Sequence, residues 1–304
     1  MINENNVLKI ENLTLTEEEI KICKLISSHT NNTWQINRSE EEKLRDTCLG
    51  KFAEKALKEY FSYDSFNNFN PFIAFYDDFR IDQFKYHNSI DFIFSDNLQM
   101  LLSAQRYIQE NLSHSNSKLS SIDKEKFKKG KVHIGEIKAT RITNRFLKNE
   151  NVDINLILKD DFLTYPFFKR SSSTIFNNQD YFNEIIKKNN QMNIESILKQ
   201  EENNLTDWYF RIYIKETKEI NSCEAYIIGA IPGIDFISNF NIKKMLQKGK
   251  SESSLYLSVP LKNGISIEEF KNNHISILDY PNHITTALNS NLNPTLFKSN
   301  KLKM

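Results

Sequence analysis

Two kinds of apolar pattern alternate along the chain, and this alternation restricts the fold more than any other feature. Six short runs are rich in aromatic and β-branched residues and are bounded by polar turn residues, which predicts β-strands. They lie within residues 72–81, 88–96, 131–140, 207–216, 224–232 and 254–261. Amphipathic segments with helical spacing precede, separate and follow these runs. This order predicts an α/β (α+β) fold with a central mixed β-sheet flanked by helices.

Two of the predicted helices carry capping signals. Thr16 and Glu19 have capping-box spacing ahead of the first amphipathic segment, and Ser39 and Glu42 repeat that spacing ahead of the second. In the second segment an apolar residue recurs at every fourth position from Leu44 to Tyr60, which gives a helix one apolar face. Further helices are predicted within residues 97–112, 193–202 and 266–272.

The order of these elements predicts one main domain with additions. We expect an N-terminal helical segment over residues 1–38, the main domain over 39–283 and a polar tail over 284–304. Residues 145–205 are rich in Asn, Lys and Phe without clear periodicity, which indicates an inserted helical or irregular segment. Residues 113–130 are polar and are predicted to be a connector.

Composition narrows the class of protein. The 304 residues are 39% hydrophobic and 26% charged, and no apolar run approaches the ~20 residues of a membrane helix. The N-terminus shows no export or transit pattern, so we expect a cytoplasmic protein with no membrane partner. Three widely spaced cysteines, Cys23, Cys48 and Cys223, argue against a disulfide framework or a zinc site and are expected to be reduced core residues.

Charge is balanced over the chain but not locally. The net charge is +1, which excludes a polycationic protein that attracts nucleic acid by total charge. Residues 121–148, by contrast, contain nine Lys or Arg and three acids. This segment is either a solvated lysine-rich surface or a site for phosphate.

The basic segment includes a strand with an unusual pair of charges. Glu136 and Lys138 are two residues apart, so they share one face of the strand while Ile134 and Ile137 pack around them. Asp91 lies among apolar residues of an earlier strand, where a carboxylate is costly unless it is paired or binds a metal. If the two strands are neighbours, two carboxylates and one ammonium meet. Such a set is either a structural ion-pair network or a site for a divalent cation.

An Asp followed later by Gly-Glu-x-Lys on a strand resembles the PD-(D/E)xK nuclease superfamily, which has the restriction-endonuclease-like fold. The resemblance implies that Asp91, Glu136 and Lys138 are the catalytic residues and that the Ile137 carbonyl joins the carboxylates around Mg²⁺, with Mn²⁺ as a substitute. Many members add a Glu from a preceding helix, and that position here is Glu54. The specific part of the resemblance covers residues 39–145, and a similar organisation extends to about residue 270.

The resemblance implies a Mg²⁺-dependent DNA endonuclease with a role in restriction or phage defence. A homodimer is expected if both strands of a twofold site are cut, and a restriction role implies a cognate methyltransferase or another defence-system partner. DNA contacts are expected from segments 98–130 and 145–205. The basic residues expected to bind phosphate are Lys128, Lys129, Lys131, Arg141 and Arg145.

Several alternatives remain open from the sequence. Asp78 or Asp82 could replace Asp91 as the metal ligand. The protein could also be a non-catalytic nucleic-acid-binding or complex-forming protein of the same fold, or a nuclease that acts on RNA or branched DNA. Other chemistries lack their motifs, since the chain has no GxxxxGK[ST] phosphate loop, no GxSxG elbow and no HExxH helix.

Overall fold

A computed structural model gives the fold of the protein. It describes residues 1–29, 39–63, 72–84, 90–112, 119–164, 183, 187, 194–219, 221–238, 241–246 and 253–274. The strands are β1 Leu8–Thr14, β2 Phe72–Phe75, β3 Phe92–Ser95, β4 Val132–Arg141, β5 Leu147–Lys148, β6 Asn151–Val152, β7 Asp161–Thr164, β8 Trp208–Glu216, β9 Ser222–Pro232, β10 Ile242–Leu246 and β11 Ser253–Pro260. The α-helices are α1 Glu17–His29, α2 Glu40–Tyr63, α3 Tyr76–Phe79, α4 Leu98–Leu112, α5 Ser121–Lys129, α6 Ile154–Ile157, α7 Ile194–Asn204, α8 Asp235–Ser238 and α9 Ile267–His274.

The main sheet is mixed and has six strands in the order β1-β9-β8-β4-β3-β2. The trio β1, β9 and β8 is antiparallel, and so is the trio β4, β3 and β2. A second sheet has the order β10-β11-β7, and β5 pairs with β6. The predicted central mixed sheet with flanking helices is therefore confirmed.

The chain divides into two units, and the boundaries fall inside α2 after Ala53 and inside β4 after Glu136. The first unit contains residues 1–53 and 137–268. Its strands β8 and β9 are nearly continuous buried runs rather than alternating ones, as expected for strands that are covered on both faces. Cys23, Cys48 and Cys223 are buried in this unit, as predicted, and none of them is in a disulfide bond.

The second unit contains residues 54–136 and 269–304. Alternate residues of its three strands, such as Ala74, Ile93 and Ile134, pack with apolar residues of α4 in one cluster. The residues between them form an aromatic row, in which Phe92 contacts Phe75 and Phe94 with ring centroids 5.3 and 6.0 Å apart. The strand period of two thus gives this part of the sheet two differently packed faces.

Both predicted capping boxes are present. The Thr16 hydroxyl accepts from the Glu19 amide at 3.2 Å and the Glu19 carboxylate accepts from the Thr16 amide at 2.7 Å, which fixes the start of α1. Ser39 and Glu42 make the same two bonds at the start of α2. The predicted helical segments at 97–112, 193–202 and 266–272 correspond to α4, α7 and α9.

Three predictions of secondary structure were wrong or incomplete. The run predicted as a strand over 72–81 ends at Phe75, and α3 follows it, because the Arg80 amide turns back to the Tyr76 carbonyl at 2.9 Å. The predicted connector contains α5, which begins with a capping box of Ser120 and Asp123. β1 was not predicted; it pairs with β9 despite a register shift between Ile10 and Leu13.

Two of the predicted segments lie partly or wholly outside the residues that the structure describes. The predicted insertion at 145–205 is described up to residue 164, where it forms β5, β6, α6 and β7, then at residues 183 and 187 and again from residue 194. The predicted tail over 284–304 lies outside the described residues altogether. Within the described part of the chain, no helix is both long and apolar enough to cross a membrane.

Candidate active site

The backbone at Asp91 is tied to the strand that carries Glu136. Asp91 lies one residue before β3, and its amide donates to the Gly135 carbonyl at 3.3 Å. Its own carbonyl accepts from the Tyr76 amide at 2.9 Å, and the next residue, Phe92, pairs with Gly135 across the ladder. Asp91 therefore lies beside the Gly135-Glu136 step of β4. The neighbouring strands assumed at the sequence level are present.

Gly135 is required at this step because an aromatic ring occupies the place of a side chain. A Cβ atom at Gly135 would meet three ring carbons of Phe92, the farthest of them at 2.6 Å. Phe92 is fully buried, so its ring has little room to yield. The glycine of the Gly-Glu-x-Lys motif thus allows the Asp91 strand to pack closely against β4.

Glu136 and Lys138 lie on the same face of β4. Val132 and Ile134 are buried in the cluster with α4, whereas His133 is on the other row and stacks on Phe94 with ring centroids 5.2 Å apart. Side chains at i and i+2 share a face, so Glu136 and Lys138 continue the row of Val132 and Ile134. Both are half-buried.

Each predicted site residue can be assigned to one of the two units. Glu54, Asp91, Glu136, Lys128, Lys129 and Lys131 belong to the second unit, and Ile137, Lys138, Arg141 and Arg145 belong to the first. The second unit brings Asp91 next to the Glu136 position. Lys138 follows Glu136 on β4 itself.

Glu54 is engaged by a lysine of its own helix. Its Oε1 atom lies 2.8 Å from the Lys58 Nζ, which also bonds to Asp78 Oδ1 at 2.7 Å and lies 4.9 Å from the centre of the Phe75 ring. Burial acts to lower the pKa of Lys58, but the Glu54 and Asp78 carboxylates outweigh it and raise that pKa. Lys58 is therefore firmly cationic. For Glu54 to bind a metal through Oε1, the metal would have to replace this ammonium.

Of the two alternative metal aspartates, Asp82 is held by a guanidinium. Arg80 bonds to both Asp82 oxygens, at 2.7 and 2.8 Å, and to Asp77 at 2.9 Å. The Asp82 side chain is completely buried and that of Arg80 is 5% exposed. Tyr76 and Phe84 place their rings 4.8 and 4.6 Å from the guanidinium carbon. This bidentate pair is structural, so Asp91 is the better candidate for a metal ligand.

A metal site at this position would contain two carboxylates rather than three. Among the residues that the structure describes, no three His, Cys, Asp or Glu side chains are grouped so that they could hold a metal ion. Asp91, Glu136 and a main-chain carbonyl are nevertheless hard oxygen donors. Mg²⁺ binds through one or two carboxylates and keeps several waters, so this donor set fits it.

The three predicted phosphate-binding lysines are exposed near the end of α5. Lys128 is exposed, and Lys129 Nζ lies 2.9 Å from Glu125 with 76% of its side chain exposed. Lys131 is similarly exposed and lies 3.7 Å from Asp96. Such exposed ion pairs are weak, so a phosphate could displace them.

The two predicted arginines have carboxylate partners in the first unit. Arg141 lies 2.9 Å from Glu216 and 3.3 Å from Asp46, and about a quarter of its side chain is exposed. Arg145 lies 3.2 Å from Asp160 and is 60% exposed. Arg145 is thus better placed to reach a phosphate than Arg141.

Sequence reasoning did not identify the polar cluster around Asp160. Tyr213 donates to Asp160 Oδ2 at 2.7 Å, Arg145 lies 3.2 Å from the same oxygen, and Lys243 lies 3.7 Å from Oδ1. Burial acts to raise the pKa of Asp160, but the Tyr213 hydrogen bond and the charges of Arg211 and Arg145 outweigh it and lower that pKa. Its members come from four separate segments, so no local sequence signal marks the cluster.

Comparisons with known proteins do not assign the chain to a family. No protein-family model, no curated protein and no solved structure matches it significantly.

Proposed function

We propose that the protein is a Mg²⁺-dependent DNA endonuclease that hydrolyses phosphodiester bonds. The observation that supports this proposal best is the attachment of Asp91 to β4 at Gly135, beside Glu136. Two carboxylates on neighbouring strands, followed by Lys138 on the same strand as Glu136, are the residue types that metal-assisted hydrolysis of a phosphodiester requires.

The proposed roles follow from the chemistry of each group. Asp91 and Glu136 would hold the metal, together with the Ile137 carbonyl. Bound Mg²⁺, or Mn²⁺ in its place, supplies a coordinated water of lowered pKa and neutralises charge on the phosphoryl group. Lys138 would orient the attacking water and assist its deprotonation. Glu54 would contribute through Oε2, or through Oε1 if it released Lys58.

Substrate binding would depend on cations outside the catalytic set. Lys128, Lys129 and Lys131 are exposed and precede β4 directly, where they can contact the DNA backbone without reading its sequence. A role in restriction or phage defence in the cytoplasm, as a homodimer and with a cognate methyltransferase or another defence-system partner, is the biological setting that we propose.

A non-catalytic nucleic-acid-binding or complex-forming protein of the same fold is the second candidate. It is favoured by the observation that, in the described residues, no three metal-binding side chains are grouped. The ion pair between Lys58 and Glu54 Oε1 also gives Glu54 a possible structural role without a metal. A nuclease that acts on RNA or branched DNA remains the third candidate.

Cleavage assays distinguish these candidates. Supercoiled plasmid, phage DNA, RNA and a branched DNA would each be incubated with the protein in Mg²⁺, Mn²⁺ or EDTA. We expect metal-dependent cleavage of DNA that Glu136→Gln and Lys138→Met reduce by about 10²-fold or more. Discrete fragments would indicate sequence-specific restriction.

Two control variants separate a catalytic effect from a general effect of lost charge. Glu59→Gln and Lys159→Met remove exposed charges elsewhere and should leave cleavage unchanged. Cleavage that survives in both site variants would contradict the proposed roles. Nucleic-acid binding without cleavage of any substrate in either metal would favour the non-catalytic candidate.

A further inference from the structure

The connection between α5 and β4 places a lysine in a backbone conformation that favours glycine. Lys131 has a φ of 55°, in the left-handed region where residues other than Gly are uncommon. Gly130, directly before it, has a φ of −81°, which any residue adopts, so the glycine does not occupy the strained position. A Cβ atom at Gly130 would meet the Cε of Met100 at 2.5 Å, so close packing against α4 accounts for that glycine.

Hydrogen bonds on both sides of Lys131 hold its backbone in this conformation. Its amide donates to the Lys128 carbonyl at 3.0 Å, at the end of α5. Its carbonyl accepts from the Ser95 hydroxyl at 2.9 Å. The Ser95 oxygen in turn accepts from the Asn97 amide at 3.1 Å, and Ser95 itself is buried and pairs with Val132 across the β3–β4 ladder. A buried hydroxyl thus ties the backbone of Lys131 to the end of β3.

Neither the backbone nor the packing of the fold accounts for a lysine at this position. Glycine would adopt the left-handed conformation without strain. The Lys131 side chain is 75% exposed, and its ion pair with Asp96 is 3.7 Å long, so the side chain adds little to stability. Backbone strain that neighbouring bonds maintain is typical of functional positions. The ammonium group is therefore the feature of Lys131 that has a use.

We propose that Ser95 is a positioning residue which, with the left-handed backbone of Lys131, holds the Lys131 ammonium as a fixed contact to one phosphate of the DNA backbone. Lys128 and Lys129 belong to the last turn of α5 and add positive charge without such a fixed contact. The proposal rests on the proposed nuclease function and specifies how DNA binds ahead of β4. A phosphate contact carries no sequence information, so Lys131 takes no part in base recognition.

DNA binding measured without cleavage tests the fixed contact. A fluorescent duplex would be titrated with the full-length chain in EDTA and in Ca²⁺, at several salt concentrations. Lys131→Ala should weaken binding about tenfold, because a charge-assisted hydrogen bond is lost. It should also reduce the slope of log affinity against log salt by about one. Lys129→Ala removes a similarly exposed lysine and should weaken binding only about twofold, because its charge acts through screening solvent.

Ser95→Ala separates positioning from charge because it leaves every charge in place. It removes the bond to the Lys131 carbonyl, so the ammonium is no longer pre-organised, and DNA affinity should fall about threefold. Ser28→Ala is the matched control, since the Ser28 hydroxyl also donates to a main-chain carbonyl but lies at the end of α1. It should leave DNA affinity unchanged.

Stability provides a second readout that does not depend on DNA. Lys131→Gly relieves the left-handed strain, so the folding equilibrium constant from urea titrations should rise about threefold. The same variant should bind DNA as weakly as Lys131→Ala, whereas Lys131→Arg keeps the charge and should bind more tightly than either. A lysine that served only the fold would not give a more stable variant with weaker DNA binding.

The outcomes separate this proposal from the nuclease proposal. Equal losses in Lys129→Ala and Lys131→Ala, or unchanged affinity in a folded Ser95→Ala, would overturn the fixed contact and leave the nuclease proposal intact. If Ser95→Ala does not fold, the lysine variants and the stability of Lys131→Gly decide the question. The expected ranking in a chain that cleaves no substrate would support the fixed contact and reject the nuclease. A chain that binds no nucleic acid would overturn both.

Discussion

Replacement of Gly135 by Ala should destabilise the second unit. The added methyl group would overlap three ring carbons of Phe92, none farther than 2.6 Å, and that ring is fully buried. Overpacking of this kind costs ~1–3 kcal/mol, while Ala recovers ~0.4–1 kcal/mol by restricting the unfolded chain. We expect a net loss of about 1–2 kcal/mol in the free energy of unfolding.

Gly50 provides a matched control for this substitution. It lies inside α2, where an added Cβ would have no atom within 4 Å. Gly50→Ala should therefore stabilise the protein by about 1 kcal/mol, because Gly is the poorer helix former. The same chemical change is thus predicted to have opposite signs at two positions.

Urea denaturation in EDTA, followed by circular dichroism, measures both effects. A second substitution, Phe92→Leu, removes the ring that the new methyl group meets. Gly135→Ala should then cost less in the Phe92→Leu background, with a coupling energy of about 1 kcal/mol between the two sites. Equal shifts for the two glycine variants, or no coupling to Phe92, would refute the packing argument.

Three further predictions concern the buried ion pairs and a helix cap. Arg80→Ala should lower the free energy of unfolding by ~3–5 kcal/mol, because the Asp82 carboxylate then lacks its buried partner. The double variant Arg80→Ala with Asp82→Asn should recover part of this loss, as urea titrations would show. The pKa of Asp160 is lower in the folded chain than in the unfolded chain, so its ionised carboxylate stabilises the fold above the ordinary carboxyl pKa. This stabilisation is lost as the pH falls through the lowered pKa. Asp160→Asn should therefore flatten the pH dependence of Tm below about pH 4. Ser120→Ala should cost ~1 kcal/mol through loss of the α5 cap, whereas Ser121→Ala, one residue later, should not, as thermal unfolding would show.

The helices and most of the strands could be predicted because their signals are local. The capping boxes at Thr16 and Ser39 depend on residues three positions apart, and the α2 stripe repeats every four residues. α5 has a capping box of Ser120 and Asp123 with the same spacing, but the polar composition of this segment resembles that of a loop and hides the signal. Local patterns therefore carry enough information to define these elements.

The partners of the charged residues could not be predicted in the same way. Asp78 and Asp82 were acceptable metal ligands by residue type, and only the folded chain gives Asp82 the buried partner Arg80 and Asp78 the partner Lys58. The contact between Glu54, which is expected at a metal, and Lys58 is likewise visible only in the folded chain. These pairings depend on side-chain directions and on turns that sequence spacing does not specify.

The sequence by itself determined the central sheet with flanking helices, the shared face of Glu136 and Lys138, and the burial of the three cysteines. Tertiary structure alone decided that Asp91 lies beside Glu136, 45 positions later in the chain, and that Lys58 of α2 bonds to Asp78 of α3. The physical reason is how far apart the interacting residues lie in the sequence. Helix and strand patterns arise between residues a few positions apart, whereas strand register and side-chain contacts are set by packing between segments that are distant in sequence.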